Sequence, residues 1–536
     1  MISRGSPLAR QLANTARGEL AFVRAASTRH GAKVPAMPRL VPASLALLLA
    51  ACSGDTASST SGTDGPGVTT SAATETPSPG TTAEPLTTGT TGTTAEPPTT
   101  GFTGPATTDE PVTTDEPVTT EPATGTTGTL DTTTTTATTE PLPDPICTDP
   151  PACDSLELTA VEHQLELLDG CAFALAPTDF AAGIARADAL LARVGTAVSI
   201  GDVLGQLNRQ GVPGLSAYQA DRMKNHDYTG FRWDTGDGAV DYWYPQGITG
   251  SSDASADSQV EGRRLLLVSW YHKIDHQPGD PPAKGVRLSL VDITDPDAIR
   301  YRHLLLVTPT GDGPDVDFAA ANTSSGDALH AGGIAWVGDR LYVASTSSGF
   351  RVYDLSRMFE TTASDDDTAI GISGDEINAH AYRYAVPEIG RYNLTDASCP
   401  FRFSAVALDR DAVPPVLVTA EYQTDLTGRI ARWPIDLAST ELVDNFGTVF
   451  ALDAALTGQS RTQGAVTHDG VYYMSCSSQA QQWGRLYRNI PGSTSEITAW
   501  PDGPEDLYVE RDLELIWTAA EHPDKRVTLG IPMQGY

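Results

Sequence analysis

The sequence predicts an all-β fold, a five-bladed β-propeller over about residues 225–536, behind a short helical lead-in and a disordered Thr-rich linker. Three observations carry this. Beyond about residue 228 the apolar periodicity switches from helical to alternating, which is the signature of strands with one face buried. One pattern of strands then recurs about five times, and repetition of a unit too small to bury its own core marks a repeat architecture. The last repeat lacks a fourth strand, as a ring closed by an N-terminal segment requires.

The segments that precede the repeats set the address. The apolar run Leu45 to Ala51 is far shorter than the ~20 residues a membrane span needs, and Arg29, Lys33 and Arg39 precede it, the layout of an export signal. It ends in Leu49-Ala50-Ala51-Cys52, which resembles the lipobox of bacterial lipoproteins, so residues 1–52 read as an export and lipoprotein signal region with Cys52 as the lipidated thiol. The expected location is extracytoplasmic, lipid-anchored to the cell envelope and surface-exposed. Residues 53–145 are mostly Thr, Gly, Pro, Ser, Ala and Glu. Such a segment cannot bury enough apolar surface to offset the ordering of its backbone and reads as a spacer, a candidate for O-glycosylation.

The balance of 35 Lys+Arg against 68 Asp+Glu gives a net charge of −33. Nucleic acid and anionic lipid both demand basic surface, so neither is an expected partner, and contact with the membrane is expected through the lipid alone. A glycan or a surface protein remains as the unknown ligand.

Residues 146–224 form the lead-in. Phe180, Ile184, Ala187, Leu190, Leu191 and Val194 lie at helical spacing, with Thr178 as N-cap candidate and Gly195 as C-cap. A second helix is predicted from Ser199 to about Arg209. Beside Cys52 the chain has Cys147, Cys153, Cys171, Cys399 and Cys476. An odd number in an oxidising compartment gives two bridges and one free thiol, with a local clip among the first three and Cys399–Cys476 as an option for the other.

Within the repeats, inner strands begin at Gln246, His330, Phe403, Gln463 and Glu505, and second strands at Leu265, Leu341, Val416, Val471 and Glu514. Turn residues such as Gly338-Asp339, Pro414-Pro415 and Asp469-Gly470 separate them. Third strands start at or after Gly285, Gly349, Gly428 and Gly484, and at Lys525 in the fifth repeat. Fourth strands are expected at Tyr301, Tyr382, Val449 and Ile497, and Phe231-Arg-Trp or Tyr242-Trp-Tyr supplies the missing one. An antiparallel β-sandwich is the competing architecture.

The strings Trp243-Tyr-Pro-Gln-Gly-Ile-Thr, Leu267-Val-Ser-Trp-Tyr, His330-Ala-Gly-Gly-Ile-Ala-Trp, Gly349-Phe-Arg-Val-Tyr-Asp-Leu and Gly503-Pro-Glu-Asp-Leu resemble a group of secreted bacterial β-propeller-like proteins that carry no established function. The resemblance covers the repeats and implies an exported propeller-like domain. It carries no catalytic residue with it.

In a blade of antiparallel strands, the start of the inner strand and the end of the second lie on one face of the disc. This places Gln246, His330, Gln463, Glu505 and Asp506 with His272, Glu421, Glu521 and His522 around the central opening. Two functions follow. The leading one is a surface lipoprotein that displays the propeller as a binding module, with Gln246, His330, Gln463, His522 and His272 as ligand contacts. The alternative is an extracellular hydrolase of glycans or related esters in which Glu505, Asp506, Glu421 and Glu521 supply a general acid and a base or nucleophile. No cofactor is called for, although a structural cation such as calcium is allowed. Asp365-Asp366-Asp367 resembles a calcium loop only in charge. Trp270, Trp336, Trp433 and Trp517 are expected in the core.

Overall fold

A computed structural model describes residues 147, 149–153, 156, 159–274, 281–362, 365–478 and 483–534. The expected lipidation site at Cys52 and the Thr-rich segment lie outside the described residues. Among those residues no helix is long and apolar enough to cross a membrane.

The described chain is mostly β and propeller-like. The first antiparallel set runs Trp243–Gly250, Leu265–His272, Val286–Asp292 and Arg300–Thr310. The second runs Ile334–Val337, Arg340–Ser345, Gly349–Asp354 and Tyr384–Leu394. Then come Ala405–Asp409, Val416–Ala420, Arg429–Asp436 and Asp453–Leu456, followed by Thr462–His468, Val471–Cys476, Trp483–Asn489 and Glu496–Asp502. The last set, Pro504–Glu510, Leu515–Ala520 and Thr528–Pro532, takes its fourth strand from Thr229–Arg232. The innermost strands adjoin one another in cyclic order, the last against the first. This is the seam expected at Phe231-Arg-Trp; Tyr242-Trp-Tyr instead opens the first inner strand.

The inner and second strands of each sheet are covered by neighbouring sheets, so they are buried on both sides. That is why Leu265, Leu266, Leu267 and Val268 form an unbroken apolar run, each 1% exposed or less. The hairpin His468-Asp469-Gly470-Val471 places both central residues at positive φ, 50° and 75°, the type I′ geometry whose twist matches paired strands. Inner strands meet almost backbone to backbone. A Cβ on Gly333 would stand 2.0 Å from the amide nitrogen of Val406, and one on Gly464 2.7 Å from Cα of Asp506. The four tryptophans expected in the core are all there, 2% exposed or less.

The outer strands depart from the sequence reading in two ways. The fourth strand of the third set is Asp453–Leu456, whereas Val449–Phe450 pairs with Ala174–Leu175. The outer strands of the first and second sets also fuse, because Ala385–Pro387 runs parallel to Leu305–Val307. The long stretch between Asp354 and Tyr384 holds a small hairpin, Ile370–Ser373 with Glu376–Ala379.

The lead-in is laced along the sheet edges. Glu166–Leu168 pairs with the third set, Ala174–Pro177 with the second, Arg209–Gln210 with the first and Val212–Pro213 with the closing strand. Helix α1 (Phe180–Val194) is capped by Asp179, one residue after the expected Thr178, whose carboxylate accepts the Ala182 amide at 2.9 Å. It ends at Gly195 with φ 78°. Helix α2 (Ile200–Leu204) begins at Ser199 as expected but stops five residues early, at Gly205. Disulfides join Cys147 to Cys171 and Cys153 to Cys399, leaving Cys476 as a buried free thiol. The local clip is therefore present. The option of Cys399 with Cys476 is corrected, because Cys476 sits in the second strand of the fourth set while Cys399 lies beside the lead-in.

Candidate functional site

The mouth of the central opening gathers half-buried side chains from every set: Tyr244, Tyr271 and Lys273, then His330, Arg402, Gln463 and Glu521 with His522. Residues at strand ends come together here from far apart in sequence. The structure then divides the sequence candidates by what already holds them.

Three of the four carboxyls are buried and already hydrogen-bonded. Glu421, 1% exposed, receives Arg429 as a two-pronged pair, Nε at 2.5 Å and Nη2 at 2.9 Å, together with the Arg402 amide at 2.8 Å. Asp506 is fully buried, and its Oδ2 accepts the amides of Ile248 at 3.3 Å and Ile334 at 3.2 Å. It thereby clamps the inner strands of the first and second sets to the last. Burial pushes its carboxyl well above the ordinary range, against the pull of those amides. Glu505 is 2% exposed and accepts from Gln463 Nε2 at 3.2 Å.

Glu521 differs. It is half-buried at the end of its strand, takes a hydrogen bond from Gln246 Nε2 at 3.3 Å, and has His522 Nδ1 at 3.5 Å. Burial raises its pKa, opposed by His522, Lys273 and Arg526. Across the same mouth, His330 stacks on Tyr271 at 4.6 Å between ring centroids. Burial, with Arg402 and Lys273 adding to it, pushes its imidazole down to about 4. Lys273 thus acts on both groups. Its ammonium lies 4.9 Å from the Tyr244 ring, which Arg526 also approaches at 5.2 Å.

His272 leaves this group. Successive strand residues point to opposite faces, so while Tyr271 turns to the mouth, His272 turns to the flank, against Trp243 at 5.0 Å and with Nδ1 accepting the Lys284 amide at 3.2 Å. Trp243 itself is buried at 4% exposed, which leaves Tyr244 as the aromatic face at the mouth. Lys273, Tyr271 and Arg402 were not singled out in the sequence. The alternation after Trp270 would have found Tyr271 and Lys273.

A second polar chain lies in the first set. Ser289 Oγ is 3.0 Å from His303 Nδ1, and His303 Nε2 is 3.0 Å from Asp237. The order is that of a hydrolase triad, but Ser289 is fully buried and already accepts the Trp270 indole at 2.8 Å. The hydroxyl has no open side for a substrate. Asp237 belongs to Asp234-Thr-Gly-Asp-Gly, where the turn reading is close: Asp234 caps helix α3 (Thr235–Ala239) and Asp237 serves guanidinium groups. Among the described residues no group of three or more His, Cys, Asp or Glu is arranged to hold a metal ion. Asp367 of the acidic run pairs with Lys284 at 2.6 Å.

No known family description matches the chain, and no curated protein matches it. Solved structures resemble it over much of their length. A gluconolactonase from Xanthomonas campestris is 11% identical, with 61% of this chain and 88% of that one covered and a TM-score of 0.26. A GH43_1 enzyme from Xanthomonas citri is 8% identical over 59% and 92%, at 0.27. A thermostable family-43 glycoside hydrolase is 9% identical over 54% and 89%, at 0.25. No residue role below rests on these likenesses.

Proposed function

We propose that this chain is a five-bladed propeller hydrolase of extracellular glycans or related esters, acting at the mouth of its central opening. One observation carries the reading. Glu521 is pushed toward its protonated form and His330 toward its neutral form, both beside Lys273. A carboxyl favoured in its protonated form and an imidazole favoured in its neutral form can serve as acid and base at one pH. Glu521 would donate its proton to the leaving oxygen while His330 takes one from the attacking water. Tyr244 and Tyr271 would offer faces to a sugar ring, and Lys273 and Arg402 would stabilise developing negative charge. A single half-buried carboxyl with an imidazole suits ester cleavage better than glycoside cleavage, which in most families uses two carboxyl groups.

A panel of chromogenic esters and glycosides tests this with the purified protein and its Glu521→Gln variant. Turnover that falls about 100-fold or more in the variant supports the acid role; equal turnover in both proteins removes Glu521 from the chemistry.

A second reading has its own observation. Glu421, Glu505 and Asp506 are all held by structural partners, which leaves the mouth better furnished for binding than for two-carboxylate chemistry. On that reading the chain displays a binding module for a glycan or a surface protein, and no member of the panel is turned over. In either case the Leu45–Cys52 segment supports display on the cell envelope through a lipid on Cys52, and the net charge of −33 supports a partner other than nucleic acid. Neither reading requires a cofactor.

A further inference from the structure

On the flank of the first sheet, a cleft of about 390 Å³ is lined by five cationic side chains, Arg209, Lys284, Arg287, Arg302 and Arg383, against two acids, Asp237 and Asp367. The chain as a whole has the opposite balance, 35 bases to 68 acids. A local reversal of sign inside a strongly anionic protein is an electrostatic funnel for anions.

The charges are only partly used within the protein: Arg383 pairs with Glu360 at 2.7 Å and Arg209 with Asp234 at 3.3 Å, but Arg287, Lys284 and Arg302 are less fully answered. Asp237 answers Arg287 at 2.9 Å, Arg209 at 3.2 Å, His303 at 3.0 Å and the Tyr301 hydroxyl at 2.7 Å, so one carboxylate serves two guanidinium groups. Arg287 is 4% exposed and lies over the rings of Trp243 and Trp270, at 4.8 and 4.5 Å. Its Nε has no hydrogen-bond partner, a costly state for a buried charged donor. Lys284 is paired only with Asp367, whose side chain is 65% exposed and so weakly held. Arg302 reaches a backbone carbonyl, that of Gln206, rather than an acid. Three imidazoles around the cleft record the same field. His272 and His303 are each pushed down to about 4 and His380 is lowered; burial comes first for all three, with Lys284 or Arg287 adding to it.

We propose that this cleft is a binding site for a small ligand that presents an oxyanion, as a carboxylate, a sulfate or a phosphate group. Arg287 forms the buried floor, held by Asp237 and two indole rings. Lys284 and Arg302 close on the anion from the half-buried rim, and Asp367 yields Lys284 to it. Planar guanidinium groups favour two-pronged contact with any of the three. The site uses no residue of the mouth, so it stands or falls apart from the hydrolase reading.

Titration calorimetry at low ionic strength, with glucuronate, inorganic sulfate and inorganic phosphate as probes, tests the assignment on the purified protein. At least one probe should bind saturably with a Kd below about 1 mM. Lys284→Met and Arg302→Met should each weaken that binding about tenfold or more, the scale of one charge-assisted hydrogen bond, whereas Lys273→Met at the mouth should leave it unchanged. The probe that binds tightest identifies the group. Absence of saturable binding for all three, binding indifferent to Lys284→Met and Arg302→Met, or binding lost in Lys273→Met instead, would each overturn the proposal. Both rim residues are only half-buried, and a thermal melt of each variant confirms that its fold survives.

Discussion

Phe231 stands opposite Thr528 in antiparallel register, joining a strand that precedes the first sheet to the last strand of the final one. Phe231 is fully buried, edge-on to Trp233 at 5.1 Å between centroids. Its truncation in Phe231→Ala should cost about 3–5 kcal/mol, the scale for emptying a buried aromatic site. Urea unfolding measures it. A loss under about 1 kcal/mol would mean that the seam unfolds apart from the rest.

Two glutamates at the opening should respond in opposite ways. Glu421→Gln breaks the buried pair with Arg429 and should destabilise the fold by about 3–5 kcal/mol. Glu521→Gln removes a carboxyl whose charged form burial already penalises, so stability should hold or rise while turnover falls. Melting curves beside initial rates separate the two. If Glu421→Gln unfolds no more easily than the parent, the pair is not a structural clamp.

Asp253 sets a pH dependence of known sign. It is 2% exposed, accepts the Thr249 hydroxyl at 2.7 Å, and burial pushes its carboxyl up to about 8. In the unfolded chain an aspartate titrates near 3.9, so from about pH 4 to pH 8 the folded state keeps a proton that the unfolded state has lost. This contribution is full below about pH 4 and disappears as pH rises through about 8. Asp506 and Glu521, also raised, act in the same direction. Asp253→Asn should therefore flatten the decline of melting temperature across that window without abolishing it. An unchanged slope would assign the decline to the other carboxyls alone.

The thiols give a further check. Cys476 is 3% exposed and burial pushes its thiol up to about 12, so it should stay silent to a thiol reagent in the native protein and react once denatured. Cys153→Ser removes a bridge that spans 246 residues and should cost about 2–5 kcal/mol, read from denaturant midpoints. A native-state reaction at Cys476 would contradict its burial.

Much of the strand order was legible because inner and second strands alternate or run apolar between strong turn residues such as Asp469-Gly470. The outer strands were less so. Asp453-Ala-Ala-Leu has no β-branched or aromatic residue to mark it, and it is held by Arg432, whose guanidinium pairs with Asp453 across the sheet. Strand-end geometry brought Gln246 to Glu521 and Gln463 to Glu505 from 275 and 42 residues away. It could not tell which carboxyl was already engaged, since that depends on partners such as Arg429, nor that His272 would face away from Tyr271. The cationic cleft had no local pattern at all: its lining runs from Asn208 to Arg383.

The seam at Phe231 and Thr528 also governs the order of assembly. Until the strand Thr528–Pro532 has been made, the closing strand Thr229–Arg232 has no partner there, and the last sheet ends in a row of open amides and carbonyls. Such an edge is a template for pairing with other chains. Contacts this distant in sequence form slowly, so the hazard of aggregation is concentrated in the interval before the two ends meet. A chain cut short by even its final strand would keep that edge exposed for its whole lifetime.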